Sequence, residues 1–193
     1  MKKIISLFQR NYEGDRLVRD EVTLGAEWVL AGEGIPTLKW DGTDCMIKDN
    51  VLYKRYDAKN GKTPPVGFIP AQDPDPITGH WPGWLMIGSD NGDKWHREAF
   101  SDQQFWEDGT YELCGPKING NKEKFSKHIL IKHGEHVAGT VEIPVPRPVT
   151  FESLKDFFGK IHDVPHKDME GIVWHHPDGR MVKIKKKDFG YKW

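Results

Sequence analysis

The chain has 193 residues, of which 37% are hydrophobic, and its 8 Trp and 9 Phe supply enough apolar material for one compact core. Its formal net charge is -1, which argues against a protein that coats nucleic acid through its overall charge. Any hold on a polyanion must therefore come from a local cluster of Lys and Arg. We predict a single domain over residues 1–193.

The cysteine pattern suits a reducing compartment, and the lengths of the apolar segments bear on targeting and membrane insertion. Cys45 and Cys114 match neither a disulfide framework nor a zinc spacing, and we interpret both as buried strand residues. The first apolar run breaks at Gln9-Arg10, before it reaches the length of a signal peptide. No later stretch approaches the roughly 20 apolar residues of a membrane span. We expect a cytoplasmic protein with no membrane contact.

Frequent Gly and Pro residues predict many short strands and an α+β fold rich in antiparallel sheet. A first short helix is predicted from Ala26 to Ala31, ended by Gly32. The next element is a strand with period-2 alternation, on which Lys39 and Asp41 point to the same face. Gly42 then permits a close turn or the close approach of a ligand. Lys-x-Asp-Gly is short enough to occur by chance, so its meaning depends on the residues downstream.

A hairpin is predicted from residues 45–47 and 51–56 around the loop Lys48-Asp49-Asn50. If the residues that flank this loop pair with each other, Thr43 lies opposite Arg55. That register places a guanidinium beside the Lys-x-Asp-Gly turn, where it suits a phosphate or a ribose.

The middle of the chain combines a loop signal with a strand signal. The proline-rich segment from Lys62 to Trp84 favours an irregular surface loop, more readily an insertion than a lid. Residues 110–115 predict an apolar strand that contains one glutamate, Glu112. Taken alone, that glutamate is interpreted as an exposed strand position.

A clearer helix is predicted from Phe151 to Phe158, with Thr150 as its cap and Gly159 as its end. Residues 170–174 and 180–185 then flank a Pro177-Asp178-Gly179 turn and predict a second hairpin. With that loop, Glu170 lies across from Lys185 or Lys186. The return strand carries its lysines on one face, opposite Val182 and Ile184: Lys183, Lys185 and Lys187. Alone, this pattern is equally typical of a solvated charged strand pair.

Taken in order, these segments resemble the ATP-dependent polynucleotide ligases of the covalent nucleotidyltransferase superfamily, and among them the compact 5′-to-3′ RNA ligases. The resemblance runs from Thr37 to Trp193. It rests on five ordered matches: Lys39-Trp40-Asp41-Gly42, Arg55, Tyr111–Gly115, Glu170–Val173 and Val182–Lys185. It implies an adenylyltransferase domain with the ATP-grasp-like nucleotidyltransferase fold of DNA and RNA ligases, built of antiparallel sheets. Ligases of this superfamily usually carry a further OB-fold or helical module, and in this respect the chain departs from them, since we expect no appended OB-fold.

The function that the resemblance implies is ATP-dependent RNA ligation in RNA repair, by adenylylation of Lys39 and with Mg²⁺ (or Mn²⁺). The partners would be ATP and RNA with 5′-phosphate and 3′-hydroxyl ends, and no protein partner is inferred. An isolated lysine has a pKa of about 10.4, so it is almost wholly protonated at neutral pH and cannot attack a phosphate. Neighbouring Lys183 and Lys185, with the metal ion, would favour the neutral amine and stabilise the transition state.

The resemblance also assigns roles to the remaining matched residues. Glu112 would contact the ribose hydroxyls, Arg55 the ribose or the 3′ side of the nucleotide, and Glu170 the metal ion, directly or through water. Asp41 is assigned to the organisation of the active site. The nucleotide-binding set is Lys39, Arg55, Glu112, Glu170, Lys183 and Lys185.

Several alternatives stay open at this point. A Lys and His cluster could supply an RNA track, or it could be a solvated loop and strand; its members are Lys117, Lys122, Lys124, Lys127, His128, Lys132 and His133. A DNA ligase or an mRNA guanylyltransferase would also use the lysine adduct. A binding module for RNA ends could keep the fold without turnover. The other histidines, including His175 and His176 beside the turn, show no metal-ligand spacing.

Overall fold

The computed structural model describes residues 4–59, 61–76, 78–135, 145–160 and 169–192. The strands are β1 (Ile5–Ser6), β2 (Phe8–Arg10), β3 (Val18–Val22), β4 (Ile35–Lys39), β5 (Thr43–Lys48), β6 (Val51–Ala58), β7 (Ile69–Pro70), β8 (Trp81–Met86), β9 (Gly109–Cys114), β10 (Ile129–Lys132), β11 (Gly171–His175) and β12 (Met181–Lys185). The helices are α1 (Glu27–Leu30), α2 (Lys94–Phe100) and α3 (Phe151–Lys160), with 3-10 turns at Asn91–Asp93 and Lys186–Phe189.

Of the strand pairings in these ranges, all but that of β1 with β12 are antiparallel. The prediction of a mixed fold rich in antiparallel sheet is therefore confirmed. None of the helices described here is long and apolar enough to span a lipid bilayer.

Contacts within the chain divide it into two compact units. The first unit contains Asp41–His133, and the second contains Ile4–Trp40 and Gly134–Trp193. The Lys-x-Asp-Gly stretch therefore begins in the second unit and ends in the first. A single domain over all 193 residues stays a prediction.

The first unit is built on a six-stranded sheet in the order β10-β9-β5-β6-β8-β7. Cys45 pairs with Lys54 on one side and with Tyr111 on the other, so these three residues share a face. That face carries the core, in which Cys45 and Tyr111 are buried together with Ala99 of α2. Because side chains alternate, the sequence neighbours of those three paired residues project to the opposite face; they are Asp44, Arg55 and Glu112.

The register predicted for the hairpin of β5 and β6 is wrong by one residue. Lys48, not Ile47, pairs with Val51. The loop is therefore the two residues Asp49 and Asn50, with φ of 51° and 57°. Two successive positive φ angles are those of the tight turn that matches strand twist, and Asp and Asn tolerate them better than other side chains do. Thr43 is consequently not opposite Arg55.

The prediction of an irregular loop from Lys62 to Trp84 is wrong for its two strands, β7 and β8. Both join the edge of the sheet beside β6 in spite of their prolines. Aromatic contacts accompany this pairing, since the Phe68 ring lies 5.9 Å from that of Tyr56 and 5.2 Å from that of Trp81. Such pairs add stability beyond their buried area, which offsets the poor strand propensity of proline.

The second unit contains a four-stranded sheet in the order β1-β12-β11-β4 and a two-stranded sheet of β2 and β3. Ile172 pairs with Ile184 and also with Leu38, so these side chains share one face. Ile172 and Ile184 are buried in one core with Leu154 and Phe158 of α3. The alternate residues of β4 and β12, which include all three candidate lysines of these strands, project to the other face.

Both helices predicted in this unit are present. α1 spans Glu27–Leu30, and Gly32 follows it with a φ of 85°. At the start of α3, the Ser153 N–H donates a 3.1 Å hydrogen bond to Thr150 Oγ1, so the predicted cap is confirmed. The predicted end at Gly159 is wrong, because α3 continues to Lys160.

Candidate active site

Three neighbouring strands of the second unit bring two of the candidate lysines together. Gly171 on β11 pairs with Lys39 on β4 and with Lys185 on β12. Residues that pair directly project to the same face of a sheet, so the two lysines flank a residue without a side chain. A Cβ at Gly171 would lie 2.1 Å from the Ile184 carbonyl oxygen. Glycine at this position therefore allows the strands to approach.

Glu170 binds both lysines. Its side chain is only 4% exposed, with Oε2 2.5 Å from Lys39 Nζ and Oε1 2.9 Å from Lys185 Nζ. Its carbonyl oxygen accepts a 2.9 Å hydrogen bond from the Lys186 N–H, which confirms the predicted position of Glu170 across from Lys186. One buried carboxylate thus holds two ammonium groups that come from different strands.

The charge state of Glu170 follows from these contacts. Burial alone would raise the pKa of the carboxyl, but the charge of Lys39 and its hydrogen bond, with a smaller contribution from Lys185, hold the pKa below its ordinary value. Glu170 is therefore ionised at neutral pH. One carboxylate between two ammonium groups leaves a local excess of positive charge, which suits a phosphate.

Lys183 lies on the sheet face that carries Lys39 and Lys185, whereas Lys187 does not. Lys183 pairs with Val173, two positions along from the pairing of Lys185, and so projects to the same side of the sheet. Lys187 lies in the 3-10 turn at Lys186–Phe189, so its predicted place on the strand face is wrong. The strand ends because Asp188, which is buried, accepts a 2.9 Å hydrogen bond from the Lys185 N–H.

In the first unit, the Asp41-Gly42 turn is held by side chains from a later loop. β4 ends at Lys39, so the prediction that Lys39 and Asp41 share a strand face is wrong. The Asp41 N–H donates to Glu123 Oε1 at 2.8 Å, while Asn119 Nδ2 donates to Asp41 Oδ1 at 3.2 Å and to the Gly42 oxygen at 2.7 Å. The turn therefore has a defined geometry set by Asn119 and Glu123.

Close packing against β9 also shapes this turn. A Cβ at Gly42 would lie 2.3 Å from the Leu113 carbonyl oxygen. The Gly42 N–H donates a 3.0 Å hydrogen bond to Glu112 Oε1. Glu112 is 9% exposed, so its interpretation as an exposed strand position is wrong. Its partners at the turn account for the burial of a charged residue.

Two residues beside Glu112, Asp44 and His133, were not predicted as site residues from the sequence. Asp44 pairs with Glu112 across β5 and β9. His133 Nε2 lies 3.0 Å from Glu112 Oε2 and 3.9 Å from Asp44 Oδ1. Their convergence depends on the register of three strands, which sequence spacing does not provide. The one feature of the sequence that could have indicated His133 is its position directly after an apolar strand.

Arg55 lies on the face of the first unit's sheet that also carries Asp44 and Glu112. It pairs with Trp84 on β8, and its guanidinium carbon is 5.1 Å from the centroid of the Trp84 ring. Its Nε is 3.7 Å from Asp57 Oδ1. Stacking on an aromatic ring fixes the plane of a guanidinium.

Most cations of the Lys and His cluster have acidic partners. Lys127 pairs with Asp102 at 2.9 Å, Lys132 with Glu107, and Lys122 Nζ lies 3.9 Å from Asp41 Oδ2. His128 is 4% exposed, and its Nδ1 is 2.7 Å from Glu98 Oε1. These contacts favour a structural loop and strand over an RNA track.

Comparisons with known proteins bear on the class of this chain. A family model described as RNA ligase 1 matches residues 102–193. RNA ligase 1 of Danio rerio is 34% identical over 89 residues, which are 44% of this chain and 25% of that protein. RNA ligase 1 of Pongo abelii is 26% identical over 231 aligned positions, covering 82% of this chain and 68% of that protein.

These matches confirm the resemblance to an RNA ligase, at modest identity. The aligned segment spans a quarter of the Danio rerio protein and about two thirds of the Pongo abelii protein. The family match includes Glu112, Glu170, Lys183 and Lys185 but begins after Lys39, Asp41 and Arg55. The assignment of the nucleophile therefore rests on the Lys-x-Asp-Gly pattern and on the contacts of Lys39.

Proposed function

We propose that this protein is an ATP-dependent RNA ligase of the covalent nucleotidyltransferase fold, which joins 5′-phosphate and 3′-hydroxyl ends in cytoplasmic RNA repair. The observation that carries the proposal is the contact of the buried Glu170 carboxylate with both Lys39 and Lys185, at 2.5 and 2.9 Å. A simple structural ion pair needs one cation. A second ammonium group at the same buried carboxylate suits a site that receives phosphates.

In the first step, the Lys39 amine attacks the α-phosphate of ATP. The ammonium group first releases a proton to solvent. A nitrogen–phosphorus bond then forms as the bond to pyrophosphate breaks, and the adduct releases its second proton to solvent. Glu170 stabilises the charged amine, whereas Lys183 and Lys185, on the same sheet face, favour the neutral form. Attack therefore requires positive charge that offsets the Glu170 carboxylate, and Lys185 already supplies part of it at 2.9 Å.

Two transfers complete the reaction. AMP passes from Lys39 to the RNA 5′-phosphate, and the 3′-hydroxyl then attacks that phosphate and displaces AMP. Lys183 and Lys185 would stabilise the negative charge that develops on the phosphoryl oxygens. Both lysines lie on β12, whose other face is anchored in the core by Val182 and Ile184. The core therefore holds the backbone from which both lysines project.

With the triphosphate bound, the residues present fit a magnesium ion. Mg²⁺ keeps several waters and binds through one or two carboxylates together with substrate phosphates. Glu170 provides one such carboxylate, so it is the residue that would hold Mg²⁺ or Mn²⁺, directly or through water. The ion would neutralise charge on the triphosphate.

The proposal extends to the residues of the first unit. Glu112 would contact the ribose hydroxyls, and Arg55 would contact the ribose or the 3′ side of the nucleotide. The hydrogen bond from the Gly42 N–H to Glu112 and the stacking of Arg55 on Trp84 support preformed positions for both. Asp41 would organise the turn through its contact with Asn119.

The test is formation of a covalent AMP adduct. The full chain is incubated with ATP and Mg²⁺, and its intact mass is compared with that of Lys39→Ala and of the control Lys48→Ala, an exposed lysine on β5. We expect the adduct in the parent and in Lys48→Ala but not in Lys39→Ala. An adduct that persists without Lys39 would refute the assignment of the nucleophile.

The same experiment separates the alternatives. GTP in place of ATP tests for a guanylyltransferase, and ligation of matched 5′-phosphorylated RNA and DNA strands tests for a DNA ligase. If a folded, AMP-free sample forms no adduct with either nucleotide, the non-catalytic RNA-end-binding module becomes the better explanation.

A further inference from the structure

Asp44, Glu112 and His133 form a cluster whose functional groups converge. Asp44 lies directly across from Glu112 in the ladder of β5 and β9. Two carboxylates in that arrangement repel each other unless a cation compensates. The His133 imidazole lies beside both, and one donor atom from each of the three residues lies within 4.8 Å of the others.

Contacts outside the cluster fix the orientation of two of its members. His133 Nδ1 lies 3.0 Å from Thr110 Oγ1, and the His133 N–H donates a 3.0 Å hydrogen bond to the Thr110 oxygen. Glu112 Oε1 accepts the Gly42 N–H at 3.0 Å. These contacts direct His133 Nε2 and Glu112 Oε2 toward each other. Outer contacts of this kind orient the side chains that bind metal ions.

The distances from His133 to the two carboxylates also fit metal ligands. With metal–ligand distances of about 2.1 Å, ligand atoms at the usual coordination angles lie about 3 to 4 Å apart. His133 Nε2 is 3.0 Å from Glu112 Oε2 and 3.9 Å from Asp44 Oδ1. The side chains of Asp44, Glu112 and His133 are 29%, 11% and 19% exposed, so an ion can enter from solvent.

We propose that Asp44 Oδ1, Glu112 Oε2 and His133 Nε2 bind a divalent transition-metal ion, with ligands other than Glu170. Two carboxylates balance the charge of a divalent ion. The imidazole favours Mn²⁺, Fe²⁺ or Zn²⁺ over Mg²⁺, which prefers oxygen ligands throughout. A carboxylate has about four acceptor positions, so metal binding leaves room for the ribose contact proposed for Glu112.

The probe is Mn²⁺ added to the metal-free full chain without ATP, and bound Mn²⁺ is counted by electron paramagnetic resonance. Pulsed measurements then detect hyperfine coupling to a coordinated imidazole nitrogen. We expect one tightly bound ion with that coupling. His133→Gln should abolish the coupling, and Asp44→Asn should weaken binding about tenfold or more while the coupling remains. The control His176→Gln should change neither.

Two results would refute the proposed metal site. If bound Mn²⁺ shows no nitrogen coupling, or if His133→Gln leaves both coupling and affinity unchanged, the cluster is an ion pair only. Thermal unfolding without metal checks that each variant is folded, and Asp44→Asn decides the question if His133→Gln is not. Because ATP is absent and the signal comes from the ion, failure of adenylylation would not be mistaken for failure of this site.

Discussion

The two units each bury a glutamate at a candidate site, and they compensate its charge in different ways. Glu170 in the second unit contacts two lysines on the two strands that flank β11. Glu112 in the first unit contacts a backbone N–H and a histidine, and a second carboxylate lies across from it. The first arrangement has excess positive charge and suits phosphates, whereas the second has excess negative charge and suits hydroxyl groups or a cation.

The largest effect is expected from Glu170→Gln, and its effect is compared with that of Glu112→Gln. Glu170→Gln removes the buried carboxylate that the half-buried Lys39 and Lys185 both contact, so we expect a loss of about 3 kcal/mol in the free energy of unfolding and a loss of about a hundredfold in adenylylation rate. Glu112→Gln keeps an acceptor for the Gly42 N–H and should cost about 1 kcal/mol. Urea unfolding and single-turnover adenylylation measure both. Equal losses would contradict the difference between the units.

The pH dependence of stability sharpens the same test. The pKa of Glu170 is held below its ordinary value of 4.5, because the attraction of Lys39 and Lys185 outweighs the effect of burial. The carboxylate therefore stabilises the fold fully above pH 4.5 and loses this contribution as the pH falls through the lower pKa of the folded state. The difference in unfolding free energy between parent and Glu170→Gln should shrink over that acidic range. A difference that grows on acidification would mean that the carboxylate is not held in its charged form.

A smaller effect is expected from Gly171→Ala. The added methyl would meet the Ile184 carbonyl at 2.1 Å and push β12 away from β11, at a cost of about 2 kcal/mol. Lys39 and Lys185 would separate, so adenylylation should fall by more than the unfolded fraction explains. Gly88→Ala is the matched control, because its methyl would meet no atom closer than 3.4 Å. Comparable losses of activity in both variants would contradict a role for the spacing of β11 and β12.

The sequence predicted those parts of the fold that local patterns determine. Alternating residues and the Pro177-Asp178-Gly179 turn led to the hairpin of β11 and β12 with its correct register. The hairpin of β5 and β6 carries an equally plain signal, yet its register was wrong by one residue, because the turn holds both Asp49 and Asn50 at positive φ. Turn conformation is a property of the folded chain that residue types indicate only in part.

Three of the candidate residues that the sequence indicated lie together, but their arrangement could not be predicted. Lys39, Glu170 and Lys185 were selected from sequence, and they do come together. The pairing of β4 with β11, which joins residues more than a hundred positions apart, has no signature in spacing. His133 was absent from the predicted site for the same reason, since its contact with Glu112 follows from the pairing of β9 with β10.

The smallest effect is expected at the Asp41-Gly42 turn, from Asn119→Ala. Loss of its two hydrogen bonds, at 3.2 and 2.7 Å, should cost about 1 kcal/mol in stability, since both are partly solvated. If the turn positions Asp41 for the reaction, kcat should fall while KM for ATP changes little. Asn119→Asp, which keeps the shape but loses the donor, should behave like Asn119→Ala, and Glu123→Gln, which keeps an acceptor for the Asp41 N–H, should not. A loss in Glu123→Gln as large as that in Asn119→Ala would indicate that the charge of the loop, rather than its hydrogen bonds, controls the turn.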